Sequence, residues 1–458
     1  MMMNRIFEFG FGMRMVVLGL VLTAAGGVLA AQERRQVPVE GLIYDLQHPD
    51  PERKKEAARL LGANKIRDAV PQLVDVSRDP NDGVRLAVMK ALVEINDTRA
   101  LPAYIERLDD RKDDIQQKAI EGLVNMYVYE EGGFVKGVEK AVDFLNPLSD
   151  DFNPLMVEPY IPVSQKALQG LAGLLRDQDD DVREDAAEAL GILRARSQVG
   201  EVQEALTRED DKEVKVELIR AAYKIGDPSV GPALLPLVED DSKAVRDEAV
   251  FALGRLRIHE AVPRLTELLD VKERRRLWKV VPVSGKDDLE KRAFIALAYI
   301  GDERSKGTFI NGLADPREDF RRYAAEGLAR IGQSDQGLIR DIARQRLRED
   351  STQVQLADSF ALYRLGRPEH LAALIDEIDR NQAFNYLLEL EPGELDQLLP
   401  YLESEPKPTQ LRLIEVIGLR GNASHLPEME RWSRSEDTDV MAAANMALRR
   451  IRGRQGDA

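Results

Sequence analysis

The sequence predicts an all-α protein, an α-solenoid of about a dozen helical hairpins stacked in a line. Three observations predict this fold: the length, the composition and a repeated sequence pattern. The chain has 458 residues, more than the roughly 250–300 residues that one compact core usually reaches. Apolar residues make up 43%, charged residues 32% and aromatic residues only 5%. That composition is too apolar for disorder, and it suits short amphipathic helices with small core residues.

The pattern recurs about every 31 residues. A polar or acidic turn is followed by Val-Arg and then by apolar residues at helical spacing, as in residues 81–95 and 242–256. Most steps between repeats are 30–34 residues, whereas two are 67 and 44. One position of the pattern, which we call the frame residue, is occupied in turn by Arg53, Val84, Ile115, Val182, Val214, Val245, Leu289, Phe320, Val354, a residue near Phe384, Thr409 and Val440.

A second, shorter helix is expected after each of these helices, so the repeating unit is a helical hairpin. Segments such as 69–77 and 261–269 carry proline near the first turn, where its missing N–H has no helical partner. Gly226-Asp227-Pro228 and Gly301-Asp302 supply helix-stop and turn residues between the two helices. Alanines three apart allow close helix contact, followed by a leucine in the seam. Examples are Ala186/Ala189/Leu190, Ala249/Ala252/Leu253, Ala293/Ala296/Leu297 and Ala444/Ala447/Leu448.

The Asp-x-x-Val-Arg entry, the Ala-x-x-Ala-Leu-Gly helix and the Ala-Val-Pro second helix resemble HEAT repeats, in particular the short subtype named after phycobilisome lyases. The resemblance covers residues 38–452 and leaves a polar tail at 453–458. It implies stacked hairpins, but little about function, because the family includes scaffolds, lyases and one hydroxylase class. It also implies a structural role for the row Arg85, Arg183, Lys215, Arg246 and Arg321, with nearby acids such as Asp82, Asp181 and Asp211 as expected partners.

The chain begins with the pattern of a secretory signal peptide over residues 1–30. A basic start precedes an apolar run at 15–28, and small residues place the cleavage between Ala30 and Ala31. The apolar run is shorter than the roughly 20 residues that span a bilayer. We therefore expect a cleaved leader and a periplasmic or secreted protein. The alternative is a retained helix that anchors the chain in the inner membrane.

The first long step contains an insertion at residues 128–161, rich in aromatic side chains. An apolar stripe at helical spacing predicts a short helix within it. One interpretation is a lid that packs on the solenoid, and the other is a docking element for a partner, since insertions in repeat proteins often lie on the binding face. The candidate docking residues are Phe134, Phe144, Phe152 and Tyr160.

The second insertion, at residues 271–286, concentrates positive charge in a chain whose net charge is −16. It also holds one of the two tryptophans. Arginine and tryptophan are enriched at interface hot spots, so the segment is a candidate site for an acidic partner or a phosphate-bearing surface. The alternative is a solvated loop whose arginines pair with acids of the solenoid. The candidate residues are Arg274, Arg275, Arg276, Trp278 and Lys279.

Several function classes are disfavoured. The acidic balance argues against nucleic-acid binding, and the absence of cysteine excludes disulfides and thiolate chemistry. The hydroxylases of the family hold iron with four His-Glu dipeptides, whereas the four histidines here (His48, His259, His370 and His425) include one such dipeptide, His259-Glu260.

No catalytic residue, metal ligand or cofactor is predicted. The sequence predicts an extracytoplasmic scaffold for protein partners. Alternatives are a lyase-like accessory subunit acting on a substrate protein and a membrane-tethered scaffold.

Overall fold

The computed structural model describes residues 39–128, 156–158, 160–270, 288–333 and 335–456. From Val39 onward the chain forms one compact unit. All regular secondary structure in the described ranges is helical, as α-helices or short 3₁₀ turns, and these ranges contain no strand. The predicted all-α solenoid is confirmed.

Two kinds of helix, which we call outer and inner, alternate along the chain, and the inner helices are those that carry the frame residues. Numbered in chain order, the outer helices are odd and the inner helices are even. The outer helices are α1 (Val39–Asp45), α3 (Val70–Val76), α5 (Leu101–Arg107), α7 (Gln165–Leu174), α9 (Val199–Arg208), α11 (Gly231–Leu234), α13 (Val262–Glu267), α15 (Lys306–Gly312), α17 (Gln336–Arg348), α19 (Leu371–Asp376), α21 (Tyr401–Ser404) and α23 (Leu426–Trp432). The inner helices are α2 (Pro51–Ala63), α4 (Asp82–Ile95), α6 (Asp113–Val128), α8 (Asp180–Ile192), α10 (Lys212–Ile225), α12 (Lys243–Arg255), α14 (Asp288–Ile300), α16 (Glu318–Ile331), α18 (Thr352–Arg364), α20 (Asn381–Leu387), α22 (Lys407–Arg420) and α24 (Thr438–Gly456). Each frame residue falls in one inner helix, so the described chain holds twelve hairpins.

The turns after α10 and α14 each use a left-handed glycine and a side-chain cap. Gly226 ends α10 at φ 75° and Gly301 ends α14 at φ 66°. The side chains of Asp227 and Asp302 then accept hydrogen bonds from the next turn's backbone. The predicted turn chemistry is confirmed at both places. Arg257 holds the same position after α12 at φ 53°, a conformation that a side chain adopts at an energetic cost.

Neighbouring inner helices approach closely because a glycine of one helix lies against an alanine of the next. A side-chain carbon added at Gly254 would lie 2.7 Å from the backbone Cα of Ala296. The same contact recurs for Gly62 with Ala91, Gly191 with Ala221 and Gly418 with Ala447. This spacing brings neighbouring inner helices into close contact along the row.

We expect Gly254→Val to destabilise the solenoid by about 2–3 kcal/mol, because the new methyl groups would have to separate α12 from α14. The measurement is the shift of the urea unfolding midpoint, together with hydrogen-exchange protection of α12 and α14. Gly173→Val in α7 is the matched control, since a side-chain carbon at Gly173 meets nothing within 4 Å. Equal destabilisation by the two substitutions would contradict the role of this contact.

The first long step does not interrupt the stack. The amide Nε2 of Gln116 in α6 donates to the carbonyl of Leu108 at 3.2 Å and to Asp177, in the turn before α8, at 3.1 Å. Inner helices α6 and α8 are therefore neighbours, and residues 129–155 fall in the sequence between α6 and α7, the two helices of the third predicted unit.

The last repeat returns to the middle of the chain. Val157 donates its N–H to the carbonyl of Ile192 at the end of α8, at 2.8 Å. Glu158, next to it, pairs with Arg450 of α24 at 2.6 Å, with both side chains largely buried. Since Glu158 and Arg450 are 292 residues apart, this pair joins the final helix to the segment before α7, which Val157 connects to the end of α8. Helix α24 extends to Gly456, beyond the expected limit of the repeats at residue 452.

Candidate interaction surface

The row of arginines at the start of the inner helices has a structural role, as the family resemblance implied. Arg85 binds Asp110 through Nε at 2.8 Å and Nη2 at 2.9 Å, and donates to the carbonyl of Asp79 at 3.0 Å. The same two contacts recur at Arg183 with Glu209 and at Arg321 with Glu349. Lys215 pairs with Asp240 at 3.1 Å, and Arg246 donates to the carbonyls of Asp240 and Asp241.

The identity of the acidic partners was wrong. Asp82, Asp181 and Asp211 were expected to bind the arginine row, but the carboxylates that do so come from the turn that opens the following repeat. Each of these pairs therefore ties one hairpin to the next. Sequence proximity alone suggested the wrong acids because stacking brings residues about 25 positions apart into contact.

Most of the residues predicted to bind partners, and the cleavage site, lie outside the described residues. These are Ala30, Ala31, Phe134, Phe144, Phe152, Arg274, Arg275, Arg276, Trp278 and Lys279. Tyr160 is described: it lies against α24, where its hydroxyl donates to the sulfur of Met446 at 3.6 Å and its Cβ faces Gly453. Tyr160 thus belongs to the contact that joins the last repeat to the fourth, and its role toward a partner stays a prediction.

We call one side of the inner helices the inner face. It is formed by the residues three, six and ten positions after each frame residue, which lie on the same side of a helix. On α8 these positions bring Asp185 and Glu188 to the surface, and on α10 they bring Glu217, Arg220 and Lys224. The character of the inner face therefore changes along the solenoid with the residues at these positions.

Across α6, α8 and α10 the inner face is acidic. We call its carboxylates the acidic cluster: Glu121, Asp181, Glu184, Asp185, Glu188 and Glu217. Within the described chain no hydrogen bond or ion pair reaches Glu184 or Asp185. Burial and the like charges around them raise the pKa of each to about 7. Glu184 and Asp185 thus form no ion pair within the described residues, and the charge of Lys118 only partly offsets the repulsion at Asp185.

Lys224 projects into the same cluster from the last turn of α10. It is only 5% exposed, and its Nζ has no hydrogen-bond partner in the described structure. Its stem packs on Gly191, and its charge interacts with Glu217 and Glu188. Burial lowers the pKa of Lys224, because the ammonium group has lost water without gaining a full set of acceptors.

Farther along, the inner face is closed by a buried ion network around Arg330 of α16. Its guanidinium binds Glu389 at 2.6 Å and Glu326 at 3.2 Å, and donates to the carbonyl of Ala298 at 3.1 Å. The hydroxyl of Tyr386 donates to Glu326 at 2.6 Å. The network is nearly inaccessible, since the side chains of Arg330 and Glu326 are 4% and 2% exposed. Charges here are paired inside the molecule, unlike those of the acidic cluster.

An open groove lies between the turn that precedes α6 and the turn that precedes α8. It has a volume of about 590 Å³. The residues that line it are Asp110, Arg111, Asp113, Gln116, Arg176, Asp177, Gln178 and Asp179. Several of them already hold neighbouring repeats together through Arg85 and Gln116, so the groove is a by-product of stacking.

The histidines have structural partners. His259 lies in the turn before α13 and bonds Asp302 through Nδ1 at 2.7 Å, while His425 is buried and helps to cap the turn before α23. In the described part of the chain, no group of three or more histidine, aspartate or glutamate side chains is arranged to hold a metal ion. Nor does any helix described there have the length and apolarity to cross a bilayer.

Twelve stacked hairpins with a tightly packed inner row define an α-solenoid repeat protein. Residues 39–124 and 201–279 match the family model of HEAT repeats, and the same hairpin continues through the other described ranges. The chain contains HEAT repeats over these two ranges. No curated protein matches it.

Two solved structures are similar to the chain. An engineered protein is similar over 90% of this chain and 98% of its own, with 20% sequence identity and a TM-score of 0.39. Kap121p, solved bound to Nup53p, is similar over 91% of this chain, with 12% identity and a TM-score of 0.41. The chain spans 57% of the length of Kap121p in that structure.

Proposed function

We propose that this protein is an extracytoplasmic scaffold that receives a protein partner on its inner face. HEAT-repeat solenoids commonly bind proteins along their extended surfaces, and the fold is typically non-enzymatic. The observation that carries the proposal is the acidic cluster. No hydrogen bond or ion pair of the described residues reaches Glu184 or Asp185 there, whereas Arg85, Arg183 and Arg330 are paired with carboxylates of the chain.

The extracytoplasmic location rests on the leader pattern at residues 1–30, with cleavage between Ala30 and Ala31. The two insertions would extend the binding surface, with the aromatic residues of 128–161 and the basic residues of 271–286 as further contacts. The first insertion follows inner helix α6, and the second precedes inner helix α14.

Site-specific photo-crosslinking in the native host tests this function. A photoreactive amino acid at Asp185 is expected to yield a discrete adduct, because that position lies on the inner face. The same amino acid at Lys166, exposed on outer helix α7, is the matched control and is expected to yield none. A third position, Trp278, reports on the basic insertion.

The same preparation tests the location. N-terminal sequencing of the chain recovered from the extracytoplasmic fraction is expected to begin at Ala31. Equal adducts at Asp185 and Lys166, or none at Asp185 and Trp278, would contradict the scaffold. An intact N-terminus in the membrane fraction would favour the tethered form.

A further inference from the structure

We propose that Val157, Glu158 and Tyr160 form a releasable clasp, which holds the last helix, α24, near the end of α8 and lets the repeat array change between a closed and an open form. The proposal does not depend on what the solenoid binds. It rests on one juxtaposition: a short non-helical segment that is anchored to α8 on one side and contacts α24 on the other.

The clasp is anchored to the hairpins of α6 and α8. Val157 is buried and donates its N–H to the carbonyl of Ile192 at 2.8 Å. A few residues later, Ser164, which precedes α7, donates its N–H to the hydroxyl of Tyr127 in α6 at 3.0 Å. These bonds do not involve α24, so the segment keeps its place on this side when α24 is released.

The clasp contacts α24 through an ion pair and a tyrosine. Arg450 donates to Glu158 through Nη2 at 2.6 Å and through Nε at 3.2 Å. The hydroxyl of Tyr160 donates to the sulfur of Met446 at 3.6 Å, and a side-chain carbon added at Gly453 would collide with Tyr160. An ion pair that is largely withdrawn from water gains little net free energy, so this contact can be exchanged for hydration at a small cost.

Helix α24 has packing of its own that does not involve the clasp. It lies against α22 and α23, with Ala447 in contact with Gly418 and with Ala444 buried. The guanidinium of Arg454 donates to the carbonyls of Gly418 and Gly421 at 2.9 Å and 2.7 Å. Release would therefore move α24 together with α22 and α23 and leave its helical structure intact.

Glu158 supplies the negative charge between two basic surfaces. Burial lowers the pKa of Arg194, in the turn after α8, and that of Arg454 in α24. Neighbouring arginines lower both pKa values further, and the charge of Glu158 opposes this in both cases. The closed form thus brings guanidinium groups from both sides around one carboxylate, and loss of that carboxylate would leave like charges facing each other.

A clasp between α8 and α24 acts on the repeats between them. Each hairpin of a repeat protein contacts mainly its neighbours, and small rotations between hairpins add up along the chain. Because Glu158 and Arg450 are 292 residues apart, their contact constrains the sum of these rotations from α10 to α22. Opening one ion pair would therefore change the spacing of many inner helices.

Distance measurements between two spin labels test the clasp. The chain has no cysteine, so Ser197→Cys after α8 and Ala442→Cys on α24, both exposed, place one label on each side. We expect a narrow distance distribution when no other residue is changed. In E158Q the distribution should move to longer distances, with the ratio of open to closed molecules raised by about tenfold or more. The far-UV circular dichroism should stay the same.

Two further variants separate release of the clasp from a general loss of stability. Gly453→Ala should also open the array, because the added methyl group meets Tyr160, although alanine favours a helix more than glycine does. Gly200→Ala in α9 is the matched control, since a side-chain carbon there meets nothing within 4 Å, and it should leave the distances unchanged. The double variant E158Q/R450M should open the array no further than E158Q alone, because the two residues act through one pair.

A broad distance distribution in the chain that carries only the labels would overturn the proposal without relying on any other variant. Distances that stay short in both E158Q and Gly453→Ala would do the same, because other contacts would then hold α24 near α8. Equal opening by Gly453→Ala and Gly200→Ala would also count against the clasp. None of these results bears on the photo-crosslinking at Asp185, so failure of the clasp and failure of the scaffold are distinguishable.

Discussion

Arg330→Met is expected to destabilise the C-terminal half of the solenoid by about 3–5 kcal/mol. The substitution removes the cation that Glu389 and Glu326 share in a site that water scarcely reaches, leaving Arg257 on Glu389 and Arg322 on Glu326. It also removes the donor to the carbonyl of Ala298 and the guanidinium that lies 4.7 Å from the ring centre of Tyr299. The two carboxylates would then have an incomplete set of partners, which is the costly way to break a buried ion network.

Hydrogen exchange measured peptide by peptide is the suitable readout, because a repeat protein unfolds in segments. Protection should fall in α14, α16 and α20, the helices that the network joins, and much less in α2 and α4. Arg344→Met is the control: Arg344 forms an exposed pair with Asp341, both about two-thirds exposed, and such pairs contribute little. An equal loss of stability in the two variants would contradict a stabilising role for the network around Arg330.

Asp358→Ala is expected to stabilise the protein by about 2–4 kcal/mol at pH 8. Asp358 is fully buried, and neither of its carboxylate oxygens has a hydrogen-bond partner in the described structure. The equivalent position, four residues after the frame residue, is a buried alanine in most inner helices, including Ala186 and Ala324. Alanine therefore fits the stack and removes an unpaired polar group.

The effect should grow with pH. Burial is the largest cause that raises the pKa of Asp358, to about 8 from its ordinary 3.8. As pH rises from 4 to 8, the unfolded chain loses this proton while the folded chain retains it, so the wild-type chain loses stability by up to about 1.4 kcal/mol for each pH unit. The stability difference between Asp358→Ala and the wild type should thus be small near pH 4.5 and largest at pH 8.

Urea unfolding at several pH values measures this difference, with Asp350→Ala as the control. Asp350 is exposed in the turn before α18, and its removal should change stability by less than about 0.5 kcal/mol at every pH. A destabilised Asp358→Ala variant, or a difference independent of pH, would show that Asp358 has a partner that stabilises its charge.

Arg330 and Asp358 are both buried ionisable residues in the same half of the solenoid, but they differ in their partners. Arg330 is buried with a full set of partners, and Asp358 is buried with none. The acidic cluster on α6, α8 and α10 differs from both, because Glu184 and Asp185 are half-buried on the inner face. A ligand would have access to Glu184 and Asp185 at the cluster, which is why we place the partner there.

The repeat pattern alone was sufficient to predict the twelve inner helices and their turns. Val182 and Val214 begin apolar helical faces, Gly226 has the freedom for a left-handed turn, and Asp227 can cap the next helix. These are local properties, set by side-chain size, polarity and backbone freedom within a few residues, so one sequence is enough to read them. The end of helix α24 could not be predicted from the repeat pattern. The helix continues to Gly456, and in this extension Gly453 contacts Tyr160, a residue far away in the sequence.

The candidate site could not be predicted in this way. Glu184, Asp185 and Lys224 look like ordinary helical charges in a chain that is 32% charged. The inner-face spacing places them on one side of their helices, but it does not show which charges find partners. Arg330 meets Glu389 across 59 residues, and Glu158 meets Arg450 across 292.

The amino-acid sequence by itself therefore determined the hairpin, the repeat length and the stacking of small residues, because each depends on near neighbours along the chain. The tertiary structure decided the path of the stack, which charges are neutralised within it and where the last helix returns. The path of the solenoid results from small rotations between successive hairpins, which add up along the chain. Residues of distant repeats therefore come into contact, and a local sequence pattern does not predict such contacts.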